Sequence, residues 1–217
     1  MHVVIAGGHG KIALILERLL ADRGDTVSGL IRNPDHRADL EAVGAQAVVL
    51  DLERATVEQV TAAVHDADAV VFAAGAGPGS GAGRKQTVDH DAAVLLADAA
   101  EAARVQRYVM VSAISADDRS LDAGYDEVYR AYIRAKSDAD ANVSARTALR
   151  TTIVRPGRLT DEPGTGTVHV AESTGRGAIP REDVAAVLLA VLDTPGSAGR
   201  TFELVSGGTP ITAALTG

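Results

Sequence analysis

Cysteine and tryptophan are absent from this 217-residue sequence, and aromatic residues make up only 3% of it. The lack of cysteine excludes disulfides, thiol catalysis and thiolate metal sites. The six histidines are scattered without the spacing of metal ligands, so we expect no metal site. Few aromatic residues leave little for stacking on nucleic-acid bases. The formal net charge of −8 further argues against nucleic acid or an anionic membrane as a partner.

Long apolar runs are missing as well. No stretch approaches the roughly 20 residues that a membrane-spanning helix requires, and the first residues enter a predicted strand without the pattern of a signal peptide. Hydrophobic residues make up 46% of the chain, which indicates a globular protein. The length suits one domain with a large core. We expect a single domain over residues 1–217 of a cytoplasmic protein that is a monomer or a homodimer.

The first thirteen residues, MHVVIAGGHGKIA, carry the most informative pattern. Residues 2–6 are apolar and rich in β-branched side chains, which predicts a buried parallel strand. Residues 11–23 then show helical periodicity. The turn between them has the spacing Gly7-x-x-Gly10-x-x-Ala13, in which Gly7 allows the sharp turn and Gly10 lets backbone approach a phosphate. This context favours a dinucleotide pyrophosphate at the helix N-terminus, although a tight turn without a ligand is the alternative.

Predicted strands and helices alternate along the chain. The strands cover residues 2–6, 26–31, 47–50, 69–73, 107–111, 151–154, 167–170 and 201–205. The helices cover residues 11–23, 35–43, 57–64, 86–104, 125–146 and 181–192. This alternation predicts an α/β fold of the Rossmann type, a doubly wound and mostly parallel sheet with helices on both faces in a three-layer sandwich. Because the alternation continues beyond the glycine-rich stretch 74–83, we interpret that stretch as a loop over a ligand rather than a linker.

Residues that follow the predicted strands fit a nucleotide site. Arg32 follows the second strand, where NAD-specific sites usually have an acidic residue for the ribose 2′-hydroxyl. A guanidinium can bind a 2′-phosphate through two hydrogen bonds, so Arg32 favours NADP over NAD unless it is a solvated turn residue. Asp51 is placed for the adenine amino group, or it is a charge at a helix N-terminus. Arg84 and Lys85 could touch the pyrophosphate, but solvated loop charges are the preferred interpretation. The predicted cofactor contacts are Gly7, Gly8, His9, Gly10, Lys11, Ile12, Arg32, Asn33, Asp51, Leu52, Ala73, Ala74, Gly75, Lys136, Pro156, Gly157 and Arg158.

Tyr132 and Lys136 lie four residues apart on one face of the predicted helix 125–146. A phenol titrates near about pH 10, so a cation that favours phenolate would bring its pKa closer to working pH. The pair could then exchange a proton with a carbonyl oxygen while hydride moves at a nicotinamide, and Ser112 could hydrogen-bond the same oxygen. Lys136 could instead hold the nicotinamide ribose. The tyrosines of this helix could equally be a packing stripe, or Tyr129 could be the working phenol.

Together, the glycine turn, Arg32, the pair Tyr132 and Lys136, and the run Val154-Arg155-Pro156-Gly157 resemble the short-chain dehydrogenase/reductase superfamily. In detail the chain is similar, over nearly its whole length, to the atypical branch of NAD(P)H-binding proteins akin to NmrA and to flavin and biliverdin reductase-like proteins. The resemblance implies that Ser112, Tyr132 and Lys136 form the catalytic triad. It also implies that Pro156 and Gly157 line the nicotinamide pocket.

The expected function is an NADP(H)-dependent oxidoreductase. It would transfer hydride to or from a small carbonyl, quinone or flavin-like substrate, because the substrate-side region at about residues 157–180 is short. One alternative is a non-catalytic NADP(H)-binding redox sensor or regulator of the NmrA-like type. The other is a sugar-type epimerase or dehydratase.

Overall fold

The structure is a computed structural model that describes residues 1–77, 79–117 and 126–216. The strands are β1 (His2–Ala6), β2 (Thr26–Ile31), β3 (Gln46–Val49), β4 (Ala69–Phe72), β5 (Arg107–Val111), β6 (Arg150–Pro156), β7 (Arg158–Thr160), β8 (Thr167–Ala171), β9 (Ala178–Pro180), β10 (Thr201–Ser206) and β11 (Thr209–Pro210). The helices are α1 (Lys11–Asp22), α2 (Arg37–Ala42), α3 (Val57–Ala63), α4 (Ala82–Arg84), α5 (Ala92–Ala103), α6 (Glu127–Ser144), α7 (Arg181–Leu192) and α8 (Ile211–Thr216). A π-helical segment, Lys85–Asp91, joins α4 to α5.

Nine of these strands form one sheet in the order β11-β8-β10-β6-β5-β4-β1-β2-β3. All neighbours from β10 to β3 pair in parallel, and β8 pairs antiparallel with β10 and β11. The chain runs outward from β1 to β3 and then returns to place β4 on the other side of β1. This doubly wound sheet confirms the predicted Rossmann-type fold. The reversal between β1 and β4 is the place where such sheets bind ligands, beyond the carboxyl ends of the strands.

The core lies on both faces of the sheet. Along β1, Val3 and Ile5 belong to one buried cluster while Val4 and Ala6 belong to the other. A strand covered on both sides needs apolar residues at every position, which is why β1 shows no polar alternation. β1 pairs with β2 on one side and with β4 on the other, so the turn that follows it begins from a strand that is hydrogen-bonded along both edges.

The helix after β4 begins earlier than the predicted residue 86. Helical structure starts at Ala82, so the loop over the sheet edge is shorter than the predicted 74–83, and Pro78 within it lies outside the described residues. The π-helical segment interrupts the 3.6-residue periodicity on which the sequence prediction depends. The predicted start of the next helix, at residue 125, also lies outside the described residues. Within them, Asp126 caps α6 by accepting a hydrogen bond from the Tyr129 amide at 2.8 Å.

Four short elements near the C-terminus were not predicted: β7, β9, β11 and α8. β7 and β9 pair in parallel with each other and form a separate two-stranded sheet. Strands of two or three residues are too short to show a period, so only tertiary contacts define them. None of the helices in the described part of the chain combines the length and apolar character of a membrane-spanning segment.

Candidate functional site

The turn between β1 and α1 depends on glycine at two positions. Gly7 has φ +81°, and a Cβ atom there would lie 2.6 Å from Cα of Ala74. A Cβ atom at Gly10 would lie 3.1 Å from the Gly7 carbonyl oxygen. Gly10 also offers no side-chain cap to α1, which leaves the N–H groups of the first helical turn to a ligand or water. Backbone N–H groups at the start of α1 are therefore available to an anion at this edge of the sheet.

Gly8 makes room for a buried acid beneath this turn. A Cβ atom at Gly8 would lie 2.7 Å from Cα of Gly29 and 2.9 Å from Oε1 of Glu17. Helical periodicity places Glu17 opposite the apolar stripe of α1, but the structure buries it completely. Neither carboxyl oxygen has a hydrogen-bond partner in the described structure. Burial raises the pKa of Glu17 to about 8, so the group is largely protonated at neutral pH.

Two side chains of the turn are engaged away from the glycines. The ring of His9 stacks on His36 at 3.5 Å, and its Nε2 lies 2.8 Å from Asp39. The His9 side chain therefore points away from the glycines, so only its backbone remains for the predicted cofactor contact. The ammonium of Lys11 donates a hydrogen bond to Asp161 at 2.6 Å, which links the start of α1 to the segment after β7.

At the ends of β2 and β3, two arginines converge on one carboxylate. Arg32 lies 3.4 Å from Oε2 of Glu53, and Arg84 donates to the same oxygen at 2.7 Å. The hydroxyl of Thr87 donates to Oε1 of Glu53 at 2.7 Å. The hydrogen bond from Arg84 holds the pKa of Glu53 below its usual range. Arg84 thus belongs to this charged cluster, whereas the sequence interpretation assigned it to solvent.

The other residues predicted at this end shape the local backbone. Oδ1 of Asp51 accepts a hydrogen bond from the Glu53 amide at 3.1 Å. Asn33 accepts one from the Asp35 amide, also at 3.1 Å, and so caps a short 3-10 turn. Leu52 packs against the core. Asp51 and Asn33 both have backbone partners, and both lie beside the Glu53 cluster.

Ser112 lies at the end of β5 and belongs to a buried polar network. Its hydroxyl donates to Oδ2 of Asp140 at 2.9 Å, and Nε of Arg155 donates to the same oxygen at 2.8 Å. Arg155 also binds both carboxylate oxygens of Asp117, at 2.6 and 2.9 Å. Burial raises the pKa of Asp140. A serine has one proton to donate, so in this arrangement Ser112 is left to accept hydrogen bonds from other groups.

Lys136 is buried and paired with an acid from the π-helical segment. Its ammonium lies 3.2 Å from Oδ1 of Asp89 and donates to the Val111 carbonyl at 3.3 Å. Oδ2 of Asp89 accepts a hydrogen bond from the Ala76 amide at 3.2 Å, and a Cβ atom at Gly75 would lie 3.2 Å from Oδ1. Asp89 therefore connects Lys136 to the loop that follows β4. The sequence analysis missed this acid.

Tyr132 does not have the lowered pKa expected from the sequence. Burial raises the pKa of its phenol, and the charge of Asp89 adds to the effect. The Nζ atom of Lys136 lies 6.0 Å from the ring centroid, but the carboxylate of Asp89 neutralises its charge. A second ammonium, that of Lys85, lies 5.5 Å from the same centroid and donates to the Gly77 carbonyl at 2.8 Å. In the free protein Tyr132 is a protonated phenol.

The run after β6 is packed closely against a neighbouring loop. Pro156 is buried and pairs with Leu204. A Cβ atom at Gly157 would lie 2.5 Å from the Gly177 carbonyl oxygen, which also accepts a hydrogen bond from the Arg158 amide at 2.9 Å. Gly157 is thus required by packing alone, whether or not it also lines a nicotinamide pocket.

The topology brings the predicted residues to one edge of the sheet, because all of them follow parallel strands or contact residues that do. Ile12 cannot contact a ligand through its side chain, because that side chain is part of the core and only its backbone can face the turn. Sequence reasoning did not find Glu53, Asp89 and Asp140, whose partners are distant in the chain. The predicted helix 86–104 contains several other acids, so its sequence offers no signal that singles out Asp89.

A comparison with family models finds a match over most of the chain. Residues 7–195 match the model of a family described as NAD(P)H-binding. The chain belongs to this NAD(P)H-binding family. A nucleotide is accordingly the small-molecule ligand of the family's site, and the resemblance drawn from the sequence is confirmed.

Individual relatives cover the whole chain. It is 39% identical over 216 residues to the "Uncharacterized sugar epimerase YhfK" of Bacillus subtilis, covering 99% of each chain. A solved structure from Bacillus halodurans, whose name proposes an NAD-dependent epimerase/dehydratase, is 34% identical with a TM-score of 0.91, covering 100% of this chain and 99% of that one. The anaerobillin reductase ChuY of Escherichia coli O157:H7 shares the fold, with a TM-score of 0.78 and 22% identity over 95% of this chain and 97% of that one.

Proposed function

We propose that this family member is an NADP(H)-dependent oxidoreductase that transfers hydride to or from a small carbonyl, quinone or flavin-like substrate. The observation that carries the proposal is the position of Tyr132 beside the buried Lys136, whose ammonium lies 6.0 Å from the centroid of the tyrosine ring and donates to the Val111 carbonyl at the end of β5. The parallel sheet brings this end of β5 to the same edge as the glycine turn. A proton donor and a cradle for a diphosphate thus share one edge.

The glycine turn fits a dinucleotide. Gly7 and Gly10 allow the backbone of the turn to pack tightly against Ala74 and against itself, and the first turn of α1, which has no side-chain cap, would bind the diphosphate through its N–H groups. Arg32, at the end of β2, supplies the positive charge that would bind a 2′-phosphate and favours NADP over NAD. Pro156 and Gly157 would line the nicotinamide side.

The part of the site formed by Ser112, Tyr132 and Lys136 would supply a proton. When bound, the reduced nicotinamide supplies the hydride. Tyr132 donates its phenolic proton to the carbonyl oxygen of the substrate as the carbon is reduced, and the product is an alcohol. Lys136 would hold the phenol and a ribose hydroxyl in place. Ser112 donates its proton to Asp140, so it can accept a hydrogen bond from the alcohol product but cannot also donate one to the substrate carbonyl, which is the role that the sequence predicts for it. The phenolate that remains at Tyr132 regains its proton from water.

A sugar epimerase or dehydratase is the second candidate. The Bacillus subtilis relative, which matches 99% of this chain, carries the name of a sugar epimerase. That reaction would need the phenolate of Tyr132 to remove a hydroxyl proton from the sugar, and burial and the charge of Asp89 disfavour the phenolate by raising the pKa of Tyr132. A redox sensor of the NmrA-like type would use the binding half of the site alone.

One pair of experiments separates these functions. NADPH and NADH are titrated against the protein and binding is followed by nicotinamide fluorescence. Oxidation of bound NADPH is then screened with quinones, flavins and aldehydes, and nucleotide sugars are screened for epimerisation. Tighter binding of NADPH than NADH with turnover of at least one acceptor supports the proposal. Binding without turnover in either screen overturns the oxidoreductase and supports the sensor.

A further inference from the structure

The cluster of Arg32, Arg84, Thr87 and Glu53 lies at the end of the sheet where the adenosine half of a dinucleotide binds in such folds. Glu53 comes just after β3, Arg32 just after β2, and Arg84 and Thr87 come from the helical segment after β4. Segments that follow three different strands therefore bring their charged side chains together. The carboxylate of Glu53 contacts the guanidinium groups of both Arg32 and Arg84.

Glu53 is held more firmly than Arg32. Its two oxygens receive short hydrogen bonds from Thr87 and Arg84, both at 2.7 Å, and its side chain is 24% exposed. Arg32 reaches the same carboxylate only at 3.4 Å, and its side chain is 59% exposed. Arg32 is thus the cation that can turn to a ligand, while Glu53 and Arg84 stay as a pair.

We propose that Glu53 is a specificity-determining residue that weakens the preference for NADP over NAD. The inference rests on the proposed binding of NADP(H). The carboxylate of Glu53 competes with a 2′-phosphate for the guanidinium group of Arg32, and it also repels the phosphate directly. NAD carries a 2′-hydroxyl, which meets no such repulsion and can donate a hydrogen bond to a carboxylate.

The test compares wild type with Glu53→Gln, which keeps the shape of the side chain and removes its charge. Dissociation constants are measured by calorimetry for NADP⁺ and NAD⁺, and for adenosine 2′,5′-bisphosphate, which isolates the phosphate end. The matched control is Glu58→Gln, which removes the same charge from an exposed position on α3. Thermal unfolding of each variant checks that it is folded.

For Glu53→Gln we expect NADP⁺ and adenosine 2′,5′-bisphosphate to bind about fivefold more tightly, the range that surface ion pairs support, and NAD⁺ to bind equally or more weakly. The gain should be smaller when Glu53→Gln is made in an Arg32→Ala background, because only the direct repulsion of the phosphate is then relieved. Unchanged NADP⁺ binding in the variant, or an equal gain for NAD⁺ or in Glu58→Gln, overturns the inference alone. A wild-type protein that binds neither dinucleotide overturns the proposed function itself.

Discussion

The ammonium of Lys136 lies 3.2 Å from the carboxylate of Asp89, and the two side chains are only 4% and 1% exposed. The pair joins α6 to the π-helical segment, and it explains why Lys136 does not lower the pKa of Tyr132. A lysine with a buried carboxylate beside it adds little net positive charge to the pocket. The phenol consequently stays protonated in the free protein, as the proposed role of proton donor requires.

Removing one member of this pair should destabilise the protein more than removing both. Lys136→Met leaves the Asp89 carboxylate buried without its ion-pair partner, which we expect to lower the free energy of unfolding by about 3 kcal/mol. The double variant Asp89→Asn/Lys136→Met leaves no charge and should recover most of the loss. Urea unfolding monitored by circular dichroism measures both. A double variant no more stable than Lys136→Met would show that the loss does not come from an unpaired Asp89 carboxylate.

Tyr132→Phe should separate chemistry from binding. The substitution removes the phenolic hydroxyl and keeps the ring, so NADPH should bind within about twofold of wild type while turnover falls at least about tenfold. The matched control is Tyr129→Phe, whose ring centroid lies 6.2 Å away on the same helix. The measurement is NADPH oxidation with an acceptor found in the screen. If Tyr129→Phe loses turnover and Tyr132→Phe does not, Tyr129 is the working phenol.

Arg32→Ala should weaken NADPH binding about tenfold and leave NADH binding nearly unchanged, because only NADPH carries the phosphate that a guanidinium would bind. Arg54→Ala is the control, since Arg54 is 88% exposed and lies in the turn after β3. Fluorescence titration of the two reduced cofactors gives the comparison. An equal loss for both would remove Arg32 from phosphate recognition.

The sequence predicts the parts of this structure that depend on neighbouring residues. The glycine turn, the strands and the residues that follow them are visible because strand, turn and helix signals are local. The sequence does not predict that Asp89 pairs with Lys136 or that Thr87 binds Glu53, because each pair joins segments far apart in the chain. The burial of Glu17 is not predicted either, because the amphipathic pattern of α1 assigns charged side chains to the exposed face.

Glu17 also predicts a distinctive dependence of stability on pH. Its pKa rises from 4.5 in the unfolded chain to about 8 in the folded protein. Between these values the folded state keeps a proton that the unfolded state has lost. The contribution to stability is therefore complete below pH 4.5, declines as pH rises and is lost above about pH 8.

Glu17→Gln keeps a neutral side chain at every pH and should remove this decline. From about pH 5 to about pH 8 the wild-type protein should lose about 3 kcal/mol more unfolding free energy than the variant, since one pKa unit corresponds to about 1.4 kcal/mol. The control is Asp22→Asn, at an exposed position of the same helix, which should leave the pH dependence unchanged. Urea unfolding over this range gives the slopes. Parallel slopes for wild type and Glu17→Gln would mean that Glu17 ionises normally in the fold, and that water or a rearranged side chain reaches its carboxylate.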